Sequence, residues 1–181
     1  MKVAGVVLAG GQSERMGQNK SLLKIHNKSL LQHASDILTQ SGIKNVYISG
    51  KSGIQDKYLD KGPIGGILSC LFSLKEYTHV LFIPVDMPLL RKQVIHELLK
   101  TNNKSVAHFA KHNLPLIIKN NESTRQILEN QIKNNNLSVY QLIEKFDTEV
   151  LEMSHKQEVF MNTNTPEQWR LTIHKLLKQQ P

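Results

Sequence analysis

Three stretches of this 181-residue chain carry residues whose types and spacing suit phosphate chemistry. In the first, a Val-rich apolar run from Val3 to Leu8 stops at Ala9-Gly10-Gly11, and Arg15, Gly17 and Lys20 follow. Glycines leave backbone N–H groups open to an oxyanion, and two cations on the same loop neutralise it, so the loop predicts a polyphosphate site. It is neither of the common phosphate loops. A dinucleotide fingerprint needs G-x-G-x-x-G, but these glycines are adjacent. A P-loop needs G-x-x-x-x-G-K-[ST], but Lys20 does not follow a glycine.

The second stretch holds Asp86, within Pro84-Val85-Asp86-Met87-Pro88 and directly after the apolar run His79–Val85. A carboxylate at the tip of a strand, flanked by prolines, suits Mg²⁺, which takes one or two protein carboxylates and leaves its other positions to water and phosphate. Read alone, Asp86 serves as well to cap a following helix. The third stretch, Phe160 to Glu167, contains Asn162 and Asn164 in a turn, with Thr165 as helix cap, Pro166 at the first helical position and Gln168 behind it. A further glycine-rich segment, Lys61-Gly62-Pro63-Ile64-Gly65-Gly66, follows two acids, Asp56 and Asp60. Its glycines permit close packing or close approach of a ligand.

Alternating strand-like and helix-like segments must position these groups. Val3–Leu8, Asn45–Ser49 and His79–Val85 read as strands, and Ser105–Ala110 with Pro115–Ile118 as antiparallel neighbours. Leu30, Leu31, Ala34, Ile37 and Leu38 mark one helix face ending near Gly42. Further helices are expected over Ile64–Leu74, around Val94, Leu98 and Leu99, twice between Asn120 and Phe146, and from Thr165 onward. The alternation predicts an α/β fold, one doubly wound domain over residues 1–181 with a mostly parallel, mixed sheet. Ligands of such sheets bind beyond the carboxyl ends of the strands, where these motifs fall.

The 39% hydrophobic content is ordinary, and the single Cys70 excludes an internal disulfide and fits a reducing compartment. Cys70 lies in an apolar helix and reads as core packing. No apolar run approaches the roughly 18 residues of a spanning helix, so a cytoplasmic protein without membrane contact is expected. The net charge of +8 comes from lysines and arginines spread along the chain, with 6% aromatic residues and none inside a basic cluster. That distribution argues against nucleic acid and for a field that draws in polyanionic substrates.

The loop from Leu8 to Lys20, L-A-G-G-x-S-x-R-M-G-x-x-K, resembles the signature of nucleotidyltransferases that activate sugars and pterins, and its double-glycine form resembles molybdenum cofactor guanylyltransferases. The resemblance implies a nucleotide-diphospho-sugar-transferase-like fold. It also implies transfer of GMP from GTP to the terminal phosphate of molybdenum cofactor, with Mg²⁺ as cofactor and pyrophosphate released. On that resemblance Leu8, Ala9, Gly10 and Gly11 line the nucleotide, Arg15 and Lys20 neutralise the triphosphate, and Asp86 holds Mg²⁺ with Asn164 near it and Asn162 a lesser candidate. Gly62 and Pro63 approach the nucleotide, and either Asp56, which lies at the usual distance before Gly-Pro, or Asp60 contacts guanine. His112-Asn113-Leu114-Pro115 echoes a segment on the pterin side. Two features depart from the pattern: Asn19 stands where Asp is common before Lys20, and Asn134–Tyr140 carries no arginine for a pterin phosphate, with Lys133 the nearest cation. The resemblance also implies a monomer or weak oligomer in transient contact with other cofactor-biosynthesis proteins. The alternatives are cytidylyl transfer to the same pterin, nucleotidyl transfer to a sugar phosphate, and a non-catalytic nucleotide-binding protein of this fold.

Overall fold

The computed structural model describes residues 1–9, 24–25, 27–101, 104–152 and 157–177. Six strands form one sheet: β1 (Val3–Leu8), β4 (Val46–Ser49), β5 (His79–Pro84), β6 (Val106–Phe109), β7 (Leu116–Lys119) and β8 (Thr148–Leu151). Their spatial order is β4-β1-β5-β7-β6-β8. β1 runs parallel to β4 and β5, and β6 parallel to β8, while β7 is antiparallel to both of its neighbours. The sheet is therefore mixed and mostly parallel, as the alternation of segments predicts, and the expected β6–β7 antiparallel pair is present.

Helices cover both faces, which is why β1 and β5 read as near-continuous apolar runs rather than alternating ones. On one face, α2 (Gly62–Ser73), α4 (Glu122–Lys133) and α5 (Val139–Ile143) pack over Ala4, Val6, Val80, Phe82, Leu116 and Ile118. On the other, α1 (Leu30–Gln40) and α3 (Lys92–Leu99) pack over Val7, Leu81, Ile83 and Ile117. In α1 the buried residues Leu30, Ala34, Ile37 and Leu38 recur at helical spacing, and Ser29 caps the helix by accepting from the Gln32 N–H at 3.1 Å. In α2 every residue from Ile64 to Leu71 is buried, and each large apolar side chain so enclosed is worth about 1.5–3 kcal/mol. Cys70 is fully buried here, and burial pushes its thiol up to about 11, as fits core packing.

α6 (Pro166–Leu177) begins as expected: Thr165 Oγ1 accepts from the Gln168 N–H, and Gln168 Oε1 accepts from the Thr165 N–H at 3.1 Å, a reciprocal capping box. Three elements lie outside the sequence expectations. These are a two-stranded ribbon, β2 (Lys24–Ile25) with β3 (Lys28–Ser29), the edge strand β8, and a 3₁₀ turn at Gln157–Phe160. Among the described residues no helix is long and apolar enough to cross a membrane.

Candidate active site

The carboxyl ends of β4, β1, β5, β6 and β8 share one rim of the sheet, because these five strands run the same way. The Ala9 N–H donates to the Ser49 carbonyl at 3.2 Å, and the Val85 N–H to the Leu8 carbonyl at 3.2 Å. Leu8 and Ala9 thus sit between the ends of β4 and β5. Gly10, Gly11, Arg15 and Lys20 lie outside the described residues, between the end of β1 and the start of β2.

Asp86 follows β5 at this rim, partly buried. Its carbonyl accepts from the Thr163 N–H at 2.8 Å and from Thr163 Oγ1 at 3.2 Å. Thr163 is fully buried, so the segment carrying Asn162 and Asn164 is sewn onto the Asp86 turn although 77 residues separate the two in sequence. Asp86 does not cap α3: that helix starts at Lys92, with Arg91 in the capping position. Asn164 is exposed, and its N–H is held by Gln168 Oε1 at 2.7 Å. Asn162 Oδ1 is buried and accepts no hydrogen bond from the described residues. Carboxylate and amide oxygens are the all-oxygen donor chemistry that Mg²⁺ prefers.

On the other side of β1, residues Gly50 to Lys61 fold against the start of α2. Asp56 Oδ1 accepts from the Tyr58 N–H at 2.8 Å and lies 3.0 Å from Ser69 Oγ, which also reaches the Gly65 carbonyl at 2.8 Å. Ser69 Oγ accepts in turn from the Lys57 N–H at 2.9 Å. One oxygen of Asp56 is therefore occupied in shaping the turn. Gly65 is needed for the close approach, since a Cβ there would lie 2.6 Å from the Tyr58 carbonyl oxygen. Asp60 is exposed and adopts a left-handed φ of 58°, and Gly62 a left-handed φ of 56°, so the chain reverses sharply as it enters α2, with Pro63 in the first turn. Lys61 Nζ donates to Asn135 Oδ1 at 3.2 Å, which brings a cation to the arginine-free segment after α4.

The turn from β6 to β7 closes the far half of the rim. His108 Nδ1 lies 2.8 Å from the His112 carbonyl, and the Leu114–Pro115 peptide is cis. His112 stacks on Phe160, two residues before Asn162. The echo at His112–Pro115 thus sits beside the Asn162–Asn164 segment. Thr163 escaped notice in the sequence because it stands between two asparagines with obvious ligating chemistry, and no local pattern reveals a bond to a distant carbonyl.

A doubly wound sheet with a glycine-rich loop after its first strand, and an aspartate at the tip of a neighbouring strand, is the architecture of nucleotidyltransferases. Residues 5–150 match the MobA-like NTP transferase domain. The chain belongs to that family. It is 35% identical over 178 residues to the molybdenum cofactor guanylyltransferase of Xanthomonas euvesicatoria pv. vesicatoria, covering 94% of each chain. It is 27% identical to the molybdenum cofactor guanylyltransferase of Vibrio vulnificus, over 90% of this chain and 91% of that one. Among solved structures, molybdopterin-guanine dinucleotide biosynthesis protein A from Archaeoglobus fulgidus superposes with a TM-score of 0.77 over 97% of this chain and all of that one. At 18% identity this last likeness concerns the fold alone.

Proposed function

We propose that this chain is a molybdenum cofactor guanylyltransferase, moving GMP from GTP to the terminal phosphate of molybdenum cofactor. The names of its relatives support the reaction, and the observation that carries it to this rim is the Thr163–Asp86 link, which joins two of the sequence motifs at the end of β5. A phosphate oxygen of the acceptor attacks the α-phosphorus of GTP. The bond from that phosphorus to the bridging oxygen breaks, and pyrophosphate departs with the electron pair. The attacking oxygen is already ionised near neutral pH, so no general base is required. The protein contributes position and charge neutralisation.

In this reading GTP lies over the β4-β1-β5 half of the rim and the acceptor over the β7-β6-β8 half. Backbone N–H groups around Ala9, Gly10 and Gly11 face the phosphates, with Arg15 and Lys20 offsetting their charge. Asp86 and Asn164 hold Mg²⁺, which when bound screens the triphosphate and sharpens the electrophilicity of its α-phosphorus. Gly62 and Pro63 border the base. The guanine contact goes to Asp60, because Asp56 already spends one oxygen on Tyr58 and Ser69. A carboxylate there accepts from the N1 and N2 donors of guanine, a pair that adenine lacks.

The test is thermal stability with GTP, CTP, ATP and UTP, each with and without Mg²⁺, followed by turnover with molybdenum cofactor as acceptor. Selective, Mg²⁺-dependent stabilisation by GTP is expected, since a ligand of the native state raises the melting temperature by mass action. Selectivity for CTP would move the assignment to cytidylyl transfer.

A further inference from the structure

We infer that His33 is a positioning residue for the Asp86 turn, an inference that rests on the reading of Asp86 as the metal carboxylate. His33 Nε2 lies 2.9 Å from the Pro88 carbonyl, across 55 residues of sequence. A carbonyl only accepts, so Nε2 carries the hydrogen. Pro88 is buried, and its carbonyl lies in the irregular stretch between β5 and α3. Without the imidazole this acceptor would be left without that donor in a buried place, where an unmet polar group is costly.

The bond is placed where it can matter to chemistry. Asp86 is two residues from Pro88, and the two carbonyls are held by distant partners, Asp86 by Thr163 and Pro88 by His33. The turn is closed further by the Leu90 N–H on the Met87 carbonyl at 3.1 Å. His33 also belongs to α1, which follows directly on the β2–β3 ribbon, and that ribbon receives the segment holding Arg15 and Lys20. α1 is itself tied back to the ribbon by Lys28 Nζ on Asp36 Oδ2 at 2.6 Å. His33 therefore links α1 and its ribbon to the turn that presents Asp86. Its work is geometric: it fixes the placement of that turn and touches no substrate.

The experiment measures GTP binding by calorimetry across a Mg²⁺ series, without acceptor, for the native protein, His33→Leu, His33→Gln and Asp86→Asn, alongside melting temperature and turnover. Residues that orient a metal ligand typically change metal affinity by about 10-fold or more, so His33→Leu should need about ten times more Mg²⁺ for half-maximal GTP binding and lose kcat more than KM. His33→Gln, whose amide N–H reaches toward the same carbonyl, should restore most of the response, and Asp86→Asn should lose the Mg²⁺ dependence. Should His33→Leu fail to fold, His33→Asn, with a shorter amide, takes its place with the same expectation. A native Mg²⁺ response in a folded His33→Leu overturns the inference, as does a His33→Gln protein impaired like the leucine variant. Retained Mg²⁺ dependence in Asp86→Asn overturns the reading of Asp86 and this inference with it.

Discussion

The imidazole of His112 lies flat against the ring of Phe160, with centroids 4.3 Å apart and planes 16° from parallel. Phe160 in turn packs on Phe109 at 5.1 Å, so the β6–β7 turn and the Asn162–Asn164 segment share one aromatic stack. Burial holds the His112 imidazole below its usual pKa of 6.5, and its Nε2 has no hydrogen-bond partner among the described residues. The unfolded chain therefore takes up the proton first. The stability that the neutral ring contributes is complete above the unfolded value and is lost as pH falls through the lower folded one.

His112→Phe keeps a flat ring on Phe160 and removes that titration. Its melting temperature should fall less than that of the native protein between pH 8 and pH 5. His79, also lowered chiefly by burial, leaves both proteins with some acid sensitivity, so the difference between the two curves is what matters. Parallel curves would show that His112 titrates normally in the folded state.

Asp86→Ala should leave the fold intact and reduce kcat/KM by about 100-fold or more, the scale seen when a group that stabilises transition-state charge is removed. Lys20→Ala should weaken GTP use in both kcat and KM. Steady-state kinetics beside a melting curve read both, and full turnover by Asp86→Ala would remove it from the chemistry.

Asp56 and Asp60 should separate cleanly. Asp56→Ala leaves the Tyr58 N–H without its acceptor and costs about 1 kcal/mol of stability. Asp60→Asn, which tolerates the left-handed backbone at this position, should leave the melting temperature unchanged while narrowing the preference for GTP over ATP. The reverse pattern, with selectivity lost only in Asp56→Ala, would make Asp56 the guanine contact.

Gly65→Ala should loosen the 56–58 turn, because the new methyl would meet the Tyr58 carbonyl oxygen at 2.6 Å. A lower melting temperature with weaker GTP binding is expected. An unchanged GTP affinity would mean that this turn is only a packing element.

The rim was legible in the sequence wherever chemistry and local pattern coincide. Val3–Leu8 and His79–Pro84 are apolar because helices cover both faces of the sheet, and the residues just past their ends are the ones singled out. β8 was missed because it is an edge strand, with Glu149 partly and Val150 about half exposed, so it has no apolar run. The β2–β3 ribbon was missed because two-residue strands show no period. His33 and Thr163 act through backbone carbonyls more than 50 residues away, and nothing near either residue announces such a partner.

β7 is the one strand of the sheet that runs against its neighbours. A parallel connection there would need a crossover of a dozen or more residues, but the reversal lets a short turn, Ala110 to Pro115, join β6 to β7 directly on the working rim. The tip is tied down by its own contacts, His108 Nδ1 near the His112 carbonyl and the His112 ring on Phe160, just as Thr163 and His33 hold the turn after β5. The reversal thus returns the chain to the same rim within a few residues and sets His112 beside the segment that carries Asn162 and Asn164, so one short turn does the work of a whole crossover.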